Sequence, residues 1–257
     1  MIKITKIRLI SQLYFLAFSA ILFYFFIINT LWIVHKVCPF SVICFGTLSI
    51  KSSSLIFPLS LLISGLFTLS AIWLGRYFCG FMCFFGTVQE FIYRLFHRNC
   101  RQYVKINYID EKRLGFLKYI ILSATIILIG FGLSRVYMTF CPVTALAWIQ
   151  NITVYGIISL VIIFIMSALI ERFWCRFLCP YAALLNIVQL IGAKLRIKRY
   201  VINRNLETCI DCNICNKSCP MNINLLEEET VDSVDCIKCF RCSEKCPKKG
   251  TLTSKRI

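Results

Sequence analysis

The chain's hydrophobic pattern divides it into four long apolar runs, over residues 10–34, 55–74, 116–133 and 152–170, separated by segments that carry most of the charge. A hydrocarbon core about 30 Å thick is crossed by about 20 apolar residues in a helix, so each run predicts a spanning helix. The third is the shortest and carries Lys118 near its start. Lys3, Lys6 and Arg8 precede the first run as they would a secretory leader. The run is too long for a leader and no small-residue cleavage site follows it, so it predicts an uncleaved anchor. Two further apolar stretches, 84–96 and 181–195, are too short to span and predict helices lying in the membrane interface. Beyond residue 199 the apolar pattern gives way to polar residues punctuated by cysteines. The expected fold is mainly α, with a four-helix polytopic membrane domain over residues 1–199 and a compact module over 200–257.

Composition agrees with a membrane protein: 58% of the 257 residues are hydrophobic and the mean hydropathy is +0.74, against about half apolar residues in a soluble domain. The formal charge of +17 invites a nucleic-acid partner, but the charges are placed as membrane topology places them. Residues 76–118 hold eight Lys or Arg and residues 172–204 hold seven, whereas 35–54 hold only Lys36 and Lys51 and 135–151 only Arg135. Basic loops stay on the cytoplasmic side, which puts both termini and the middle loop in the cytoplasm. Lipid headgroups, not nucleic acid, are the partner this charge implies.

Candidate chemistry lies in CIDCNICNKSCP, from Cys209, and CIKCFRCSEKCP, from Cys236. Both read C-x2-C-x2-C-x3-C-P, the bacterial spacing for [4Fe-4S] ligation, in which the fourth cysteine of each run serves the other cluster. The expected sets are Cys209, Cys212, Cys215 and Cys246 for cluster 1, and Cys236, Cys239, Cys242 and Cys219 for cluster 2. The alternative of two structural zinc sites would more often show separated C-x2-C pairs. A disulfide framework conflicts with a reducing cytoplasm. Two clusters would also staple a module of about fifty residues, which builds little core alone.

GRYFCGFMCFFG, from Gly75, aligns without gaps with ERFWCRFLCPYA, from Glu171, matching Arg76 with Arg172, Cys79 with Cys175 and Cys83 with Cys179. Upstream, VCPF at Val37 echoes FCPV at Phe140. The membrane part is therefore expected to be a duplicated two-helix unit, both copies running the same way about an axis along the membrane normal. On a helix, positions four apart share a face, so each C-x3-C pair would point one way and four sulfurs would converge if the copies faced each other. They are candidates for a redox-active thiol set or a further cysteine-ligated centre near a quinone headgroup. The alternative is that Cys79, Cys83, Cys175 and Cys179 are small buried packing residues, with Arg76 and Arg172 anchoring the interface.

Cys38, Cys44 and Cys141 are expected on the outer face, where a disulfide is permitted or where they would accept electrons; Cys100 has no partner in the pattern. The two histidines, His35 and His97, fall on opposite sides and cannot clamp a transmembrane haem.

Four helices, paired C-x3-C motifs and two ferredoxin runs together resemble the NapH-type quinol dehydrogenase component of periplasmic nitrate reduction and the membrane core of the NosR-type regulator of nitrous oxide reduction. The resemblance covers nearly the whole chain and departs from the usual pattern at Phe84, where the family has Pro. It implies electron transfer between the quinone pool and a redox partner, either a cytoplasmic ferredoxin or an extracytoplasmic reductase, with [4Fe-4S] clusters as relays. Two other functions fit the same residues: a maturation factor, similar to cytochrome oxidase accessory proteins, that reduces a metal ion or an extracytoplasmic thiol, and a passive anchor for a ferredoxin module.

Overall fold

A computed structural model describes residues 4–29, 56–97, 108–131, 133, 140–142, 145, 154–227 and 229–256. Its helices are α1 (Ile4–Asn29), α2 (Ile56–Leu74), α3 (Tyr77–Phe81), α4 (Phe84–Phe96), α5 (Tyr108–Gly115), α6 (Leu117–Gly130) and α7 (Val154–Leu169). A π-helical turn, Trp174–Leu178, leads into α8 (Pro180–Lys194), and the C-terminal module adds β1 (Tyr200–Arg204), α9 (Ile214–Ser218), β2 (Thr230–Val231), α10 (Arg241–Lys245) and β3 (Leu252–Arg256). All four apolar runs contain helix, and the two short runs after each C-x3-C pair form α4 and α8. Cys38, Cys44, Cys100 and His35, and residues 30–34 of the first run, lie outside the described residues.

Two stretches, Ile4–Ile21 and Asp110–Gly130, are long and apolar enough to cross a membrane, while the apolar helices over Ser64–Leu74 and Val154–Leu169 are shorter. The outer surfaces suit lipid: Ile10, Tyr14 and Ile21 on α1 and Ile126 and Ile127 on α6 are all more than half exposed. Large apolar side chains exposed in such number are costly in water and cost nothing against hydrocarbon.

The two copies of the repeat interlock. Helix α2 of the first copy packs on α8 of the second, and α7 of the second packs on α4 of the first. Each long helix thus covers the short helix of the other copy. Phe85 of α4 meets Leu160, Ile163 and Trp174 of the second copy, and Leu185 of α8 packs with Ala71 of α2. Close approach is permitted by Gly192, where an added Cβ would stand 2.8 Å from Cγ2 of Ile72.

The C-terminal module is a three-stranded antiparallel sheet in the order β2-β1-β3, with Ile202 paired to Val231 and to Ser254. Its core is small, consisting of Ile202, Leu225, Val231 and Leu252 with Cys215, Cys236 and Cys242 among them. So few apolar side chains leave stability dependent on whatever the cysteines hold. The module is docked: Ile237, Cys239 and Met221 pack with Ala71, Cys79, Tyr181 and Leu185 in one buried cluster.

The tightest point of that docking is Gly80, where a Cβ would fall 2.4 Å from the Ile237 carbonyl oxygen. The clash is with backbone, so the module would have to shift. Gly80→Ala is expected to destabilise the docked state by about 1–3 kcal/mol, measured as faster protease cleavage between residues 195 and 200 at unchanged helix content.

Candidate functional site

The two cysteine runs fold alike because the same positions turn the chain the same way. Asp211 and Asn213 flank Cys212 at φ 47° and 59°, and Lys238 and Phe240 flank Cys239 at φ 51° and 57°. Left-handed residues on both sides of a cysteine turn successive amide groups inward, a concavity that suits an anion. Asp and Asn adopt this conformation readily, whereas Lys238 and Phe240 hold it at a cost of about 1–3 kcal/mol each. Backbone strain at matched positions in both runs is what a shared ligand geometry would require.

Cys209, Cys212, Cys215 and Cys246 line one open cavity, together with Arg204, Thr208, Ile210 and Lys248. Cys246, from the second run, thus shares a cavity with three cysteines of the first. Arg204 reaches Cys209 Sγ at 3.7 Å, Asp211 at 3.0 Å and the Leu226 carbonyl at 3.1 Å. Cys212 and Ile210 are exposed, so this set opens to solvent.

The second set is enclosed. Cys236, Cys239 and Cys242 are buried, and Cys219 of the first run is close enough to Cys239 and Cys236 for their charges to act on it. Burial pushes the Cys219 thiol up to about 12 and raises Cys236 and Cys242 as well. Thiols so buried stay protonated at neutral pH unless a metal takes the proton's place. Among the described residues, no three His, Cys, Asp or Glu side chains close on a point as a single ion requires. A cubane holds its thiolates at four outer corners, spread more widely than the ligands of one ion. Four thiols per set, inward-turned amides and an open cavity fit a [4Fe-4S] group, which would be held by Cys209, Cys212, Cys215 and Cys246 in one set and by Cys219, Cys236, Cys239 and Cys242 in the other.

The C-x3-C pairs differ from the helical-face expectation. Cys79 lies on the short α3 and Cys83 follows a turn, as the residue before α4; Cys175 lies in the π-helical turn and Cys179 precedes α8. Cys83 and Cys179 are both extended, at φ −67°, ψ 110° and φ −71°, ψ 110°, so neither pair sits on one regular helix. Each amide bonds five residues back, Cys83 to Phe78 at 3.0 Å and Cys179 to Trp174 at 2.9 Å. Pro180 disfavours a helical Cys179, yet Phe84 in the other copy permits the same turn, so the missing proline changes nothing locally.

The turns nonetheless bring the four cysteines into adjoining clusters, Cys175 with Cys83 and Cys179 in one and Cys79 with Cys179 in the other. Two arginines are exchanged between the copies: Arg76 donates to the Cys175 carbonyl at 3.1 Å, and Arg172 donates to the Cys79 carbonyl at 2.5 Å. Both are fully buried, so they are not interface anchors reaching for headgroups. Cys141 is also buried. His97 stacks on Tyr93 at 4.6 Å.

Residues that composition assigned to topology turn out to bind the module. Glu90 of α4 accepts from Arg8, from Arg172 at 2.7 Å, from Arg241 at 2.8 Å and from Arg94 at 2.5 Å. Arg241 also grips Glu171 with two bonds of 2.9 Å. On the other side Asp235 accepts from Arg76 at 2.8 Å, from Asn186 at 3.0 Å and from Lys118. Burial alone would raise Glu90, but the surrounding guanidinium groups hold it well below the usual carboxylate range. Asp235 is likewise lowered, with Arg76 and Lys118 outweighing its desolvation. Four guanidinium groups against two carboxylates leave an excess of two positive charges, and Arg8 and Arg241 both border Cys239. A [4Fe-4S]2+ group with four thiolates carries about two negative charges, which matches this excess.

Residues 55–101 and 152–198 each match a protein family described as a 4Fe-4S binding domain, and residues 201–247 match a 4Fe-4S dicluster domain. The chain therefore carries 4Fe-4S ferredoxin-type domains. It is 32% identical over 73% of its length to YccM of Escherichia coli, whose name provisionally assigns it to electron transport, and covers 53% of that protein. It is 27% identical over 64% of its length to NirI of Paracoccus denitrificans and 25% identical over 58% to the regulatory protein NosR of Pseudomonas aeruginosa. The chain spans about half of YccM and a quarter or less of NirI and NosR, at 24% and 20%. No solved structure matches the chain.

Two outcomes test the site. Cys219→Ser, though in the first run, should remove about four iron atoms belonging to the second set and leave the exposed set intact; in the reduced protein the magnetic coupling between two clusters should vanish from the EPR spectrum while one signal remains. Glu90→Gln should cost about 3–5 kcal/mol at neutral pH by leaving buried guanidinium groups unpaired. Because the folded pKa of Glu90 lies below its unfolded value of about 4.3, its contribution is complete above that pH and is lost as pH falls towards the folded value. The wild type should therefore show a steeper fall in urea midpoint below about pH 4.3 than Glu90→Gln.

Proposed function

We propose that the chain is a membrane-bound iron–sulfur electron-transfer protein that exchanges electrons between the quinone pool and a redox partner through two [4Fe-4S] clusters. The observation that carries this is the serial arrangement of thiols, with the buried set at Cys219, Cys236, Cys239 and Cys242 against the helical domain and the set at Cys209, Cys212, Cys215 and Cys246 opening to solvent. Bound clusters supply one-electron chemistry over a wide range of potentials. The protein's part is to hold the two sets in order, to shield the inner one from water, and to balance its charge with Arg8 and Arg241.

In this reading all four apolar helices span the bacterial inner membrane, both termini are cytoplasmic, and the chain is a NapH-type component. Support for the membrane comes from the exposed apolar faces of α1 and α6 and from the basic segments 76–118 and 172–204. Quinone would approach where the C-x3-C turns meet the lipid-facing aromatics. The soluble partner would dock over Ile210 and Cys212, where exposed Lys217, Lys248 and Lys249 favour an acidic surface.

The deciding experiment uses the full chain in proteoliposomes. Addition of a menaquinol or ubiquinol analogue should produce EPR signals of reduced [4Fe-4S] clusters, and dithionite should produce no more than the same set. Clusters reduced by dithionite but never by quinol, under anaerobic conditions and with either quinol, would reject quinone exchange and leave an iron–sulfur carrier fed by another donor.

A further inference from the structure

The four cysteines of the C-x3-C pairs are unaccounted for by two clusters. Each copy of the repeat matches a 4Fe-4S binding domain, yet each contributes only two cysteines to its C-x3-C pair, and a cubane takes four thiolates. Neither copy suffices alone. The interlocked packing brings the pairs together: Cys175 packs with Cys83 and Cys179 in one buried cluster, and Cys79 packs with Cys179 in the next.

The surroundings are those of an anion. Arg76 and Arg172 reach across the interface to the carbonyls of Cys175 and Cys79. The side-chain amide of Gln89 points at Cys175 Sγ from 3.7 Å. Gly86 leaves the space above that sulfur open; a Cβ there would stand 3.6 Å from it and 3.2 Å from the Arg172 guanidinium. Arg76 Nε is buried and has no acceptor among the described residues. Arg76 and Lys118 share the single carboxylate of Asp235, which leaves one positive charge over, and both border Cys179. Four packing cysteines would need none of this, and the one buried positive charge left over would be a liability beside neutral thiols.

We propose that Cys79, Cys83, Cys175 and Cys179 together hold a third [4Fe-4S] cluster, shared across the interface between the two copies. The inference rests on the assignment of the chain as an iron–sulfur electron carrier and extends it. The shared site is the thiol set nearest the lipid-facing helices, and Cys79 packs in the same cluster as Cys239, so the order from membrane to solvent is the shared site, the buried ferredoxin set and the exposed set. The charge left over by Arg76 and Lys118 offsets part of the cluster's charge, and Arg76 and Arg172 fix the two turns relative to each other.

The test counts iron. Full-length protein is purified in detergent without oxygen and reconstituted with ferrous iron and sulfide. The wild type should hold about twelve iron and twelve sulfide per chain, and Cys79→Ser and Cys175→Ser should each hold about eight, with the EPR signals of the two ferredoxin clusters retained. Retained signals also show that the variant has folded. A wild type saturating at about eight iron overturns the proposal without recourse to any variant, and so does an unchanged iron content in Cys175→Ser. Failure of the underlying assignment looks different, because Cys215→Ser and Cys242→Ser would then also leave iron unchanged.

Discussion

Every part of the molecule meets at one carboxylate. Glu90 belongs to the first copy of the repeat, Arg172 to the second, Arg8 to the N-terminal helix and Arg241 to the ferredoxin-type module, and all three arginines bond it out of contact with water. A lone carboxylate in such a place would be expelled or protonated. Bonded by four guanidinium groups it is ionised, and each of those groups depends on it in turn. A hydrophobic contact tolerates small displacements, but a buried charge tolerates little, since a shift of an ångström leaves a guanidinium group without its partner. The relative positions of helices, repeat and module are therefore fixed by electrostatics, although most of the buried area is apolar.

The duplication explains why this arrangement has two sides, and its imperfection explains how the module binds. The position aligned with Glu90 in the second copy is Asn186, which carries no charge. The arginine related to Arg172 is Arg76, and its carboxylate comes from Asp235 of the module, held from the other side by the Asn186 amide. A symmetric pair of repeats would neutralise its own arginines and offer the module nothing. With one carboxylate lost, the residue before Cys236 supplies the missing charge, and the first ligand of the buried set is thereby anchored to the membrane-side domain.

The likeness of the two cysteine runs is legible from spacing alone, because the same positions in each adopt the same local turn. The repeat is legible for a similar reason, and the helix ends at 74, 96 and 194 lie within a residue of the apolar runs. Two things are not legible. The C-x3-C pairs read as one helical face, but an extended residue at Cys83 and Cys179 breaks the helix in both copies, and only one of those positions precedes a proline. Arg8, Arg76, Arg172 and Lys118 read as topology signals, since a sliding count of charge cannot distinguish a side chain at the headgroups from one buried against a distant part of the chain. Glu90, a single acid in an apolar amphipathic run, gives no signal of its own. Its partners become visible only once the two copies interlock.

Charge balance ties the docking of the module to what its cysteines hold. The Glu90 network has two more cations than anions, and the surplus lies beside Cys239. Neutral thiols leave that surplus uncompensated, with only the Arg94 side chain reaching solvent, while four thiolates around an iron–sulfur core cancel it. Ligand loading therefore stabilises the contact between module and helices as well as the loops that make the ligands, in the way that metal affinity adds to folding free energy in small metal-dependent domains. Arg8, one of the arginines that balance the charge, also donates to the Gly80 carbonyl at 3.0 Å, beside the contact of Gly80 with Ile237. Charge compensation and the docking contact thus share a side chain.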